Sequence, residues 1–217
     1  MKKLYHFRHS PFARKVQAVL DLMHADYQRV AVAYGERNEL AELTGGYIYV
    51  PVLVDDDGSV TIESRDICKR LVAKKEGAFL VPSPLEGPIW GYSDFCDGPL
   101  EDITFRIASP ETRKQWPSAS DRALYTMNKE RKFGAGCIDQ WEREREQLCA
   151  RAQSFLEPSF STLSKRPFLF GDTPSLADAA LYGQTCMLRE GAPALVAQLS
   201  PVLAEHGQRL EEWISKA

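Results

Sequence analysis

The order of strand and helix signals in the first 80 or so residues limits the folds that this chain can adopt. Runs that favour strands alternate with segments whose apolar residues recur at spacings of three and four. Predicted strands cover residues 3–7, 27–33, 52–54 and 59–62, and predicted helices cover 11–23, 37–43 and a segment that Ser64 caps. The order β-α-β-α-β-β-α predicts two parallel strands joined through a helix, with a hairpin at Asp55–Gly58 that adds an antiparallel edge.

A different pattern begins after a segment rich in proline and glycine, which we interpret as a linker over residues 80–88. Beyond this linker the sequence carries no convincing strand signal. Predicted helices cover residues 89–108, 119–127, 138–163, 175–189 and 192–215. We therefore predict an α/β domain over residues 1–79 and an all-helical domain over residues 89–217.

Composition and charge narrow the range of functions. The 217 residues carry a net charge of −3, which gives no support for nucleic-acid binding, because that function usually needs a basic surface. No apolar run reaches the roughly 18 residues that a membrane span needs. The first residues lack the long apolar segment and the small-residue cleavage site of a signal peptide. We expect neither a nucleic-acid nor a membrane partner.

The five cysteines are widely spaced, odd in number and without a Cys-x-x-Cys pair. Free thiols in a reducing cytoplasm are the simplest interpretation of this pattern. The four histidines are scattered and lack the spacing of metal ligands, so we expect no metal site.

The segment from Tyr5 to Arg14, Tyr-His-Phe-Arg-His-Ser-Pro-Phe-Ala-Arg, lies where the first predicted strand ends and the first predicted helix opens. It resembles the active-site turn of the thioredoxin superfamily, whose motif is Cys-Pro-Phe-x, with Ser10 at the position of the reactive cysteine. A serine cannot attack a disulfide as a thiolate does. Its hydroxyl can still donate a hydrogen bond to the thiolate of another molecule.

Three further motifs follow in order: Val50-Pro51-Val52-Leu53, Glu63-Ser64-Arg65-Asp66-Ile67 and Gly171-Asp172-Thr173-Pro174-Ser175-Leu176-Ala177-Asp178. With the turn at Ser10, they resemble the glutathione transferase family, in its V-P-x-L motif, its E/Q-S-x-x-I motif and its helical-domain folding motif. The resemblance covers nearly the whole chain, and the turn is most similar to the cysteine-type classes such as omega. It implies a thioredoxin-like N-terminal domain that holds glutathione and an all-α C-terminal domain.

Ser10 has two interpretations. On the residues alone, it is a helix N-cap that is followed by proline at the first helical position. In the family context, its hydroxyl and the helix N-terminus would stabilise the thiolate of glutathione. A free thiol has a pKa near 8.5, and lowering that pKa by about two units needs roughly 2.7 kcal/mol, which these contacts can supply.

The resemblance also implies the remaining glutathione contacts: Phe12, Val50, Pro51, Glu63 and Ser64. It implies a cis Val50–Pro51 bond that turns the Val50 N–H and C=O toward the cysteine of the peptide, whereas the residues alone indicate a strand-start proline. Glu63 would approach the γ-glutamyl ammonium, and Ser64 with the helix N–H groups would receive the neighbouring carboxylate. Simple helix capping is the alternative for this pair.

Several residues near these motifs are predicted to have no part in the chemistry. Tyr5 is out of register with the first helix, and Arg65 is interpreted as a surface residue. His9 could act on the second substrate, but an exposed turn histidine is the preferred interpretation. Ser175 and Asp178 form a capping-box pattern that is predicted to serve folding, so that Asp178→Ala would lower stability by about 0.5–2 kcal/mol.

Two groups of residues in the helical half are interpreted as structural. Four aromatic residues near helical spacing are interpreted as core, although they could line an apolar pocket beside Ser10 or form a dimer contact: Trp90, Tyr92, Phe95 and Phe105. The charged runs at 131–132 and 142–146 predict a solvated helix face.

The favoured function is that of a glutathione transferase, with glutathione as co-substrate and no metal, in which Ser10 stabilises the thiolate for attack on a small apolar electrophile. The family is typically dimeric, so a homodimer is expected. One alternative is a glutathione-dependent thiol–disulfide reductase, against which Ser10 argues. Another is a non-enzymatic binding protein of the same fold, because the bulky run Tyr47-Ile48-Tyr49 could narrow the glutathione site.

Overall fold

A four-stranded sheet forms the N-terminal part of the protein in the computed structural model, which describes residues 1–191 and 193–216. The strands are β1 (Lys2–His6), β2 (Tyr27–Ala31), β3 (Val52–Val54) and β4 (Val60–Ile62). Their order across the sheet is β2-β1-β3-β4, with β1 and β2 parallel and the other two pairs antiparallel. This topology confirms the predicted crossover between parallel strands and the predicted hairpin edge.

Three helices complete this part: α1 (Pro11–Leu22), α2 (Asn38–Thr44) and α3 (Ser64–Val72). Helix α2 ends at Gly45, whose left-handed backbone (φ 71°) is the conformation that glycine adopts most readily. The prediction that Ser64 caps α3 is wrong by one residue. Glu63 is the N-cap, with φ at 65° and no capping bond from its side chain, and Ser64 is the first residue of the helix.

The rest of the described chain is helical. After two short 3₁₀ turns at Ala78–Leu80 and Ser83–Leu85, the helices are α4 (Glu86–Phe95), α5 (Glu101–Gln115), α6 (Ala119–Phe133), α7 (Cys137–Arg143), α8 (Arg145–Leu163), α9 (Leu176–Gly191), α10 (Pro193–Leu199) and α11 (Pro201–Lys216). A π turn at Cys96–Leu100 joins α4 to α5. Helix α4 begins inside the segment interpreted as a linker, because Pro88 lies in its first turn, where no intrahelical N–H is needed. The linker bounds at 80–88 stay a prediction.

The two parts meet where α1 packs against α9. At Gly183 of α9, a Cβ atom would lie 2.5 Å from the Pro11 carbonyl oxygen, so a larger residue there would displace main chain. Lys15 of α1 is buried and forms an ion pair with Asp97 in the π turn. The first turn of α1 is therefore positioned directly by the helical part.

A buried hydrogen-bond network holds the start of α9. The Asp178 carboxylate accepts from the Ser175 N–H at 2.9 Å and from the Ser175 hydroxyl at 2.7 Å. Its other oxygen accepts from the Leu169 N–H at 2.9 Å and lies 3.0 Å from His206 Nε2. The predicted return of Asp178 to Ser175 is confirmed, but the Ser175 hydroxyl donates to this carboxylate instead of capping a helix N–H.

The five cysteines are free, and all but Cys149 are buried. Within residues 1–191 and 193–216, no group of three or more His, Cys, Asp or Glu side chains is placed to hold a metal ion. None of the helices in the same residues combines the length and apolarity that a membrane crossing requires.

Candidate functional site

A cleft of about 1290 Å³ lies between the sheet and the helical part. One side, here called the sheet-side wall, contains all six residues predicted to form a site: Ser10, Phe12, Val50, Pro51, Glu63 and Ser64. The other side, here called the helical wall, comes from α5, α6 and the segment between them, with Glu101, Phe105, Trp116, Tyr125, Lys129, Arg131, Lys132 and Phe133. The structure thus brings the predicted residues together, while their individual roles stay predictions.

Ser10 is the N-cap of α1. Its Oγ accepts a hydrogen bond from the Ala13 N–H at 3.2 Å, so the capping interpretation is confirmed. A hydroxyl can accept and donate at the same time, so this bond leaves the Ser10 proton available to a molecule in the cleft. Capping and donation to a ligand are therefore compatible roles for this one side chain.

The Val50–Pro51 peptide bond is cis, as the family resemblance implies. It directly precedes β3, whose Val52 pairs with Tyr5 of the central strand β1. Tyr5 is buried beneath the cleft, and its hydroxyl donates to Glu39 at 3.0 Å. The main chain of Val50 thus lies along the sheet-side wall, while Tyr5 takes no part in lining it, in agreement with its predicted register.

Glu63 lies at the turn from β4 into α3. The Tyr47 hydroxyl donates to its carboxylate at 2.9 Å, and burial together with this carboxylate raises the pKa of Tyr47. Tyr49, from the same bulky run, packs against Tyr47 with ring centroids 5.5 Å apart and keeps 61% of its surface exposed. The run Tyr47-Ile48-Tyr49 therefore borders the cleft and orients Glu63.

Arg65 follows Ser64 in the first turn of α3. It is 41% exposed, as a surface residue would be, but it also lines the cleft. Its guanidinium forms an ion pair with Asp94 and lies 5.0 Å from the centre of the Trp90 ring. The guanidinium of Arg65 therefore links α3 of the N-terminal part to α4 of the helical part.

The prediction of an exposed His9 is wrong. The imidazole is half-buried, with its ring centroid 5.6 Å from that of Trp116, and its Nδ1 is buried with no hydrogen-bond partner among the described residues. Burial, reinforced by the nearby Arg8, lowers the pKa of His9 to about 4. His9 is consequently neutral at pH 7, beside Ser10 in the cleft.

Sequence reasoning missed most of the helical wall. Arg131 and Lys132 are exposed, as a solvated face predicts, but α6 continues past the predicted end at Met127, and both residues line the cleft. Phe105 belongs to the core and also lines the cleft. Three other aromatic residues are also interpreted as core. They are half-buried and pack against the hydrophobic core: Trp90, Tyr92 and Phe95.

Burial shifts the pKa values of two ionisable residues on the helical wall, Glu101 and Lys129. Burial raises the pKa of Glu101 to about 7, although Lys129 and Lys132 oppose this shift. Burial also lowers the pKa of Lys129. Both shifts have the same cause, which is that burial on this wall disfavours the charged form of each group.

The N-terminal part matches a known family. The family model described as "Glutathione S-transferase, N-terminal domain" matches residues 4–79. The glutathione S-transferase PM239X14 of Arabidopsis thaliana is 29% identical, over 97% of this chain and 88% of the plant protein. That similarity therefore extends through both the sheet and the helical part.

Solved structures share the fold over the whole length. A glutathione S-transferase of Ceriporiopsis subvermispora in complex with glutathione superposes with a TM-score of 0.80 at 17% identity, covering 100% of this chain and 99% of the other. Glutaredoxin 2 of Salmonella typhimurium in complex with glutathione gives a TM-score of 0.75 at 18% identity, covering 100% and 96%. At these identities, the two structures establish the shared fold.

Proposed function

We propose that this chain is a member of the glutathione S-transferase family, and that it binds glutathione on the sheet-side wall and activates the thiol for attack on a second molecule in the same cleft. The observation that carries the proposal is Ser10, which caps α1 at the edge of the cleft with its hydroxyl proton available. A thiolate placed there would receive this hydrogen bond and the partial positive charge of the helix N-terminus.

The sheet-side wall offers complementary groups to the γ-glutamyl and cysteinyl parts of the tripeptide. Glu63, held by Tyr47, would accept the γ-glutamyl ammonium, and the N–H groups at the start of α3 would take the neighbouring carboxylate. The Val50 main chain would pair with the cysteine residue as an added strand does. Phe12 would pack beside the sulfur as the residue two positions after Ser10. The glutathione-bound structures of the fungal transferase and of the bacterial glutaredoxin support this choice of ligand.

The chemistry needs one proton to leave and one bond to form. The thiol of bound glutathione loses its proton to solvent, and the Ser10 O–H donates to the resulting sulfur anion. The sulfur lone pair then forms a C–S bond with the electrophilic carbon, and the displaced electron pair departs with a leaving group or moves onto an acceptor atom of the substrate. Because the cleft binds both reactants, proximity contributes to the rate.

The sequence-based expectations of a homodimer and of a cytoplasmic location belong to this proposal. The family resemblance favours the homodimer, and the five free thiols favour a reducing compartment. Light scattering of the purified chain at micromolar concentration tests the dimer, which a monomeric mass would contradict.

A thiol–disulfide reductase is the second candidate, favoured by the shared fold with glutaredoxin 2 of Salmonella typhimurium. Such an enzyme needs a thiolate that attacks a disulfide. None of the five cysteines lines the cleft, and Ser10 stands where the reactive cysteine would be. Ser10→Cys should therefore gain disulfide-reductase activity that the wild type lacks, and wild-type activity equal to that of the variant would favour the reductase.

The pKa of the glutathione thiol in the complex tests the proposed role of Ser10. Titration of the thiolate absorbance should place this pKa about two units below that of free glutathione in the wild type, and about one unit higher in Ser10→Ala, because one hydrogen bond to the anion is lost. Ser118→Ala is the matched control, since Ser118 Oγ caps α6 by accepting from the Asp121 N–H at 2.9 Å and does not line the cleft.

Calorimetry with glutathione and with S-methylglutathione separates binding from thiol activation. Both ligands should bind the wild type. The affinity for both should fall in Glu63→Gln, because this variant loses the carboxylate that accepts the ammonium. Ser10→Ala should lower the affinity for glutathione more than the affinity for S-methylglutathione, because only glutathione forms a thiolate. Absent binding of both would instead favour a binding protein whose site the Tyr47-Ile48-Tyr49 run has altered.

A further inference from the structure

We infer that the second substrate is an aromatic electrophile that carries an anionic group such as a carboxylate. The inference rests on the proposed function, because it assumes that both reactants share the cleft. It comes from the helical wall, which combines aromatic rings with cations that the described part of the protein leaves without carboxylate partners.

Four aromatic residues form the apolar part of the helical wall. Phe105 and Phe133 lie with centroids 5.2 Å apart, and Trp116 and Tyr125 lie 6.1 Å apart. All four line the cleft. Offset and edge-to-face contacts with such rings stabilise an aromatic ligand more than they stabilise an aliphatic ligand of the same size.

Two cations of α6, Lys129 and Lys132, lie along these rings, and a third, Arg131, lines the same cleft. Lys129 Nζ is 4.5 Å from the centre of the Phe105 ring and 5.4 Å from that of Tyr125, and Lys132 Nζ is 4.9 Å from that of Phe133. Within residues 1–191 and 193–216, no carboxylate oxygen lies within 4.0 Å of these three cations.

The acidic groups around the cleft are occupied or only weakly charged. Among the acids that line the cleft, Asp97 pairs with Lys15, Asp94 pairs with Arg65, and Glu63 accepts a hydrogen bond from Tyr47. Asp102, which follows Glu101 but does not line the cleft, pairs with Arg106. Glu101, the acid of the helical wall, has a pKa raised to about 7 by burial, so it is only partly ionised at neutral pH. The cations of α6 therefore produce a positive field at this wall, although the whole chain carries a net charge of −3.

The burial of Lys129 favours the binding of an anion at this wall. The pKa of Lys129 is lowered by burial, which means that its ammonium is poorly solvated. A ligand carboxylate near Lys129 and Lys132 would form a charge-assisted hydrogen bond, and its ring would lie against Phe105 and Phe133. Neither contact alone distinguishes the ligand, but together they select an arene with an anionic substituent.

A matched pair of electrophiles tests the inference: 4-chloro-3,5-dinitrobenzoate and 4-chloro-3,5-dinitrobenzamide. In both, the thiolate of glutathione attacks the carbon that bears chlorine, the C–S bond forms, and chloride leaves with the electron pair. Each kcat/KM is divided by the uncatalysed rate constant with glutathione, which removes the difference in intrinsic reactivity. The unreactive pair 3,5-dinitrobenzoate and 3,5-dinitrobenzamide gives binding alone, from quenching of tryptophan fluorescence without glutathione.

The wild type should favour the carboxylate over the amide by about 3- to 10-fold in both measurements, as expected for one partly buried charge-assisted contact. Lys129→Gln and Lys132→Gln should each remove most of this preference. Glu101→Gln should increase it, because the variant lacks the partly ionised carboxylate that interacts with Lys129 and Lys132. Lys165→Gln removes a cation from an exposed loop outside the cleft and should leave the preference unchanged.

Equal normalised kcat/KM values and equal affinities of the wild type for the carboxylate and the amide would overturn the inference. A loss of preference in Lys165→Gln as large as that in Lys129→Gln would also overturn it. A loss of glutathione affinity in Lys129→Gln, with no loss of dinitrobenzoate affinity, would also overturn it, because the cations would then serve the carboxylates of glutathione. If the wild type binds dinitrobenzoate selectively but does not bind glutathione, the anion-selective site stands and the proposed transferase function fails.

Discussion

Two serines stand at helix starts on opposite sides of the contact between α1 and α9, and the structure uses them differently. Ser10 precedes Pro11 and accepts a hydrogen bond from the Ala13 N–H, so its own proton remains available in the cleft. Ser175 follows Pro174, is buried, and donates its proton to Asp178 at 2.7 Å. Each serine also has a histidine nearby: His9 in the cleft, and His206 within the buried network.

The difference shows that residue type at a helix start does not decide the role of a serine. Burial and the direction of the hydroxyl proton decide it. The hydroxyl of Ser175 is used entirely within the protein, so it contributes to folding stability. The hydroxyl of Ser10 retains a donor for a ligand, so its contribution to stability is only that of a cap. Four measurements test this contrast between the two serines.

The largest expected effect is in the buried network. Asp178→Ala should lower the free energy of unfolding by about 3–5 kcal/mol, above the cap loss expected from sequence, because several buried donors lose their acceptor at once. Urea denaturation measures the change. Asp172→Ala, in the exposed part of the same motif, should change stability little. A loss of less than about 1 kcal/mol in Asp178→Ala would show that the network contributes little.

The histidine beside Ser10 should make stability depend on pH. Because burial lowers the pKa of His9 to about 4, the unfolded chain binds a proton between the ordinary histidine pKa of 6.5 and pH 4 while the folded chain does not. Stability is therefore lost as pH falls through this window, by about 1–3 kcal/mol from His9. Unfolding curves at pH 7 and pH 4 should show a smaller loss in His9→Gln. Identical losses would mean that the pKa of His9 is the same in the folded and the unfolded protein.

Ser175→Ala should cost about 1–2 kcal/mol of stability, because the Asp178 carboxylate loses one donor and retains the others. Thermal and urea denaturation measure this loss. Glutathione affinity at a temperature where the variant is fully folded should match that of the wild type. A selective loss of affinity would mean that this network also sets the geometry of the cleft.

The smallest effect is expected at the other serine. Ser10→Ala should lower the free energy of unfolding by about 1 kcal/mol, the cost of one helix cap. Ser118→Ala removes a similar cap at α6 and should cost a similar amount. Stability measured without ligand for the two variants gives the comparison. A much larger loss in Ser10→Ala would assign Ser10 a structural role beyond capping.

The sheet and its helices could be predicted because their signals are local. Proline after Ser10, glycine at Gly45 and the turn at Asp55–Gly58 each fix a boundary from neighbouring residues alone. The N-cap of α3 was wrong by one residue, because Glu63 takes that position with a positive φ, which its residue type does not indicate. The sheet-side wall could be predicted for the same reason, because its residues lie at the ends of these strands and helices.

The helical wall could not be predicted because it depends on contacts between distant segments. Nothing adjacent to His9 in sequence shows that Trp116, at the end of α5, covers its ring. Arg131 and Lys132 have the composition of a solvated face, and only the packing of α6 beside α5 places them on a cleft. Periodicity identifies a helix, but it does not give the register of that helix against its neighbours.

The contact between Gly183 and the Pro11 carbonyl also bears on how such a protein could be redesigned. The helix that positions Ser10 is α9, whereas the second substrate is proposed to meet α6. Residues of α6 could therefore be randomised in a library to search for new acceptor molecules while the end proposed to activate the thiol stays in place. Exchanging the N-terminal half with that of a relative is a harder route, because the foreign α1 must tolerate main chain at van der Waals distance from a glycine of α9.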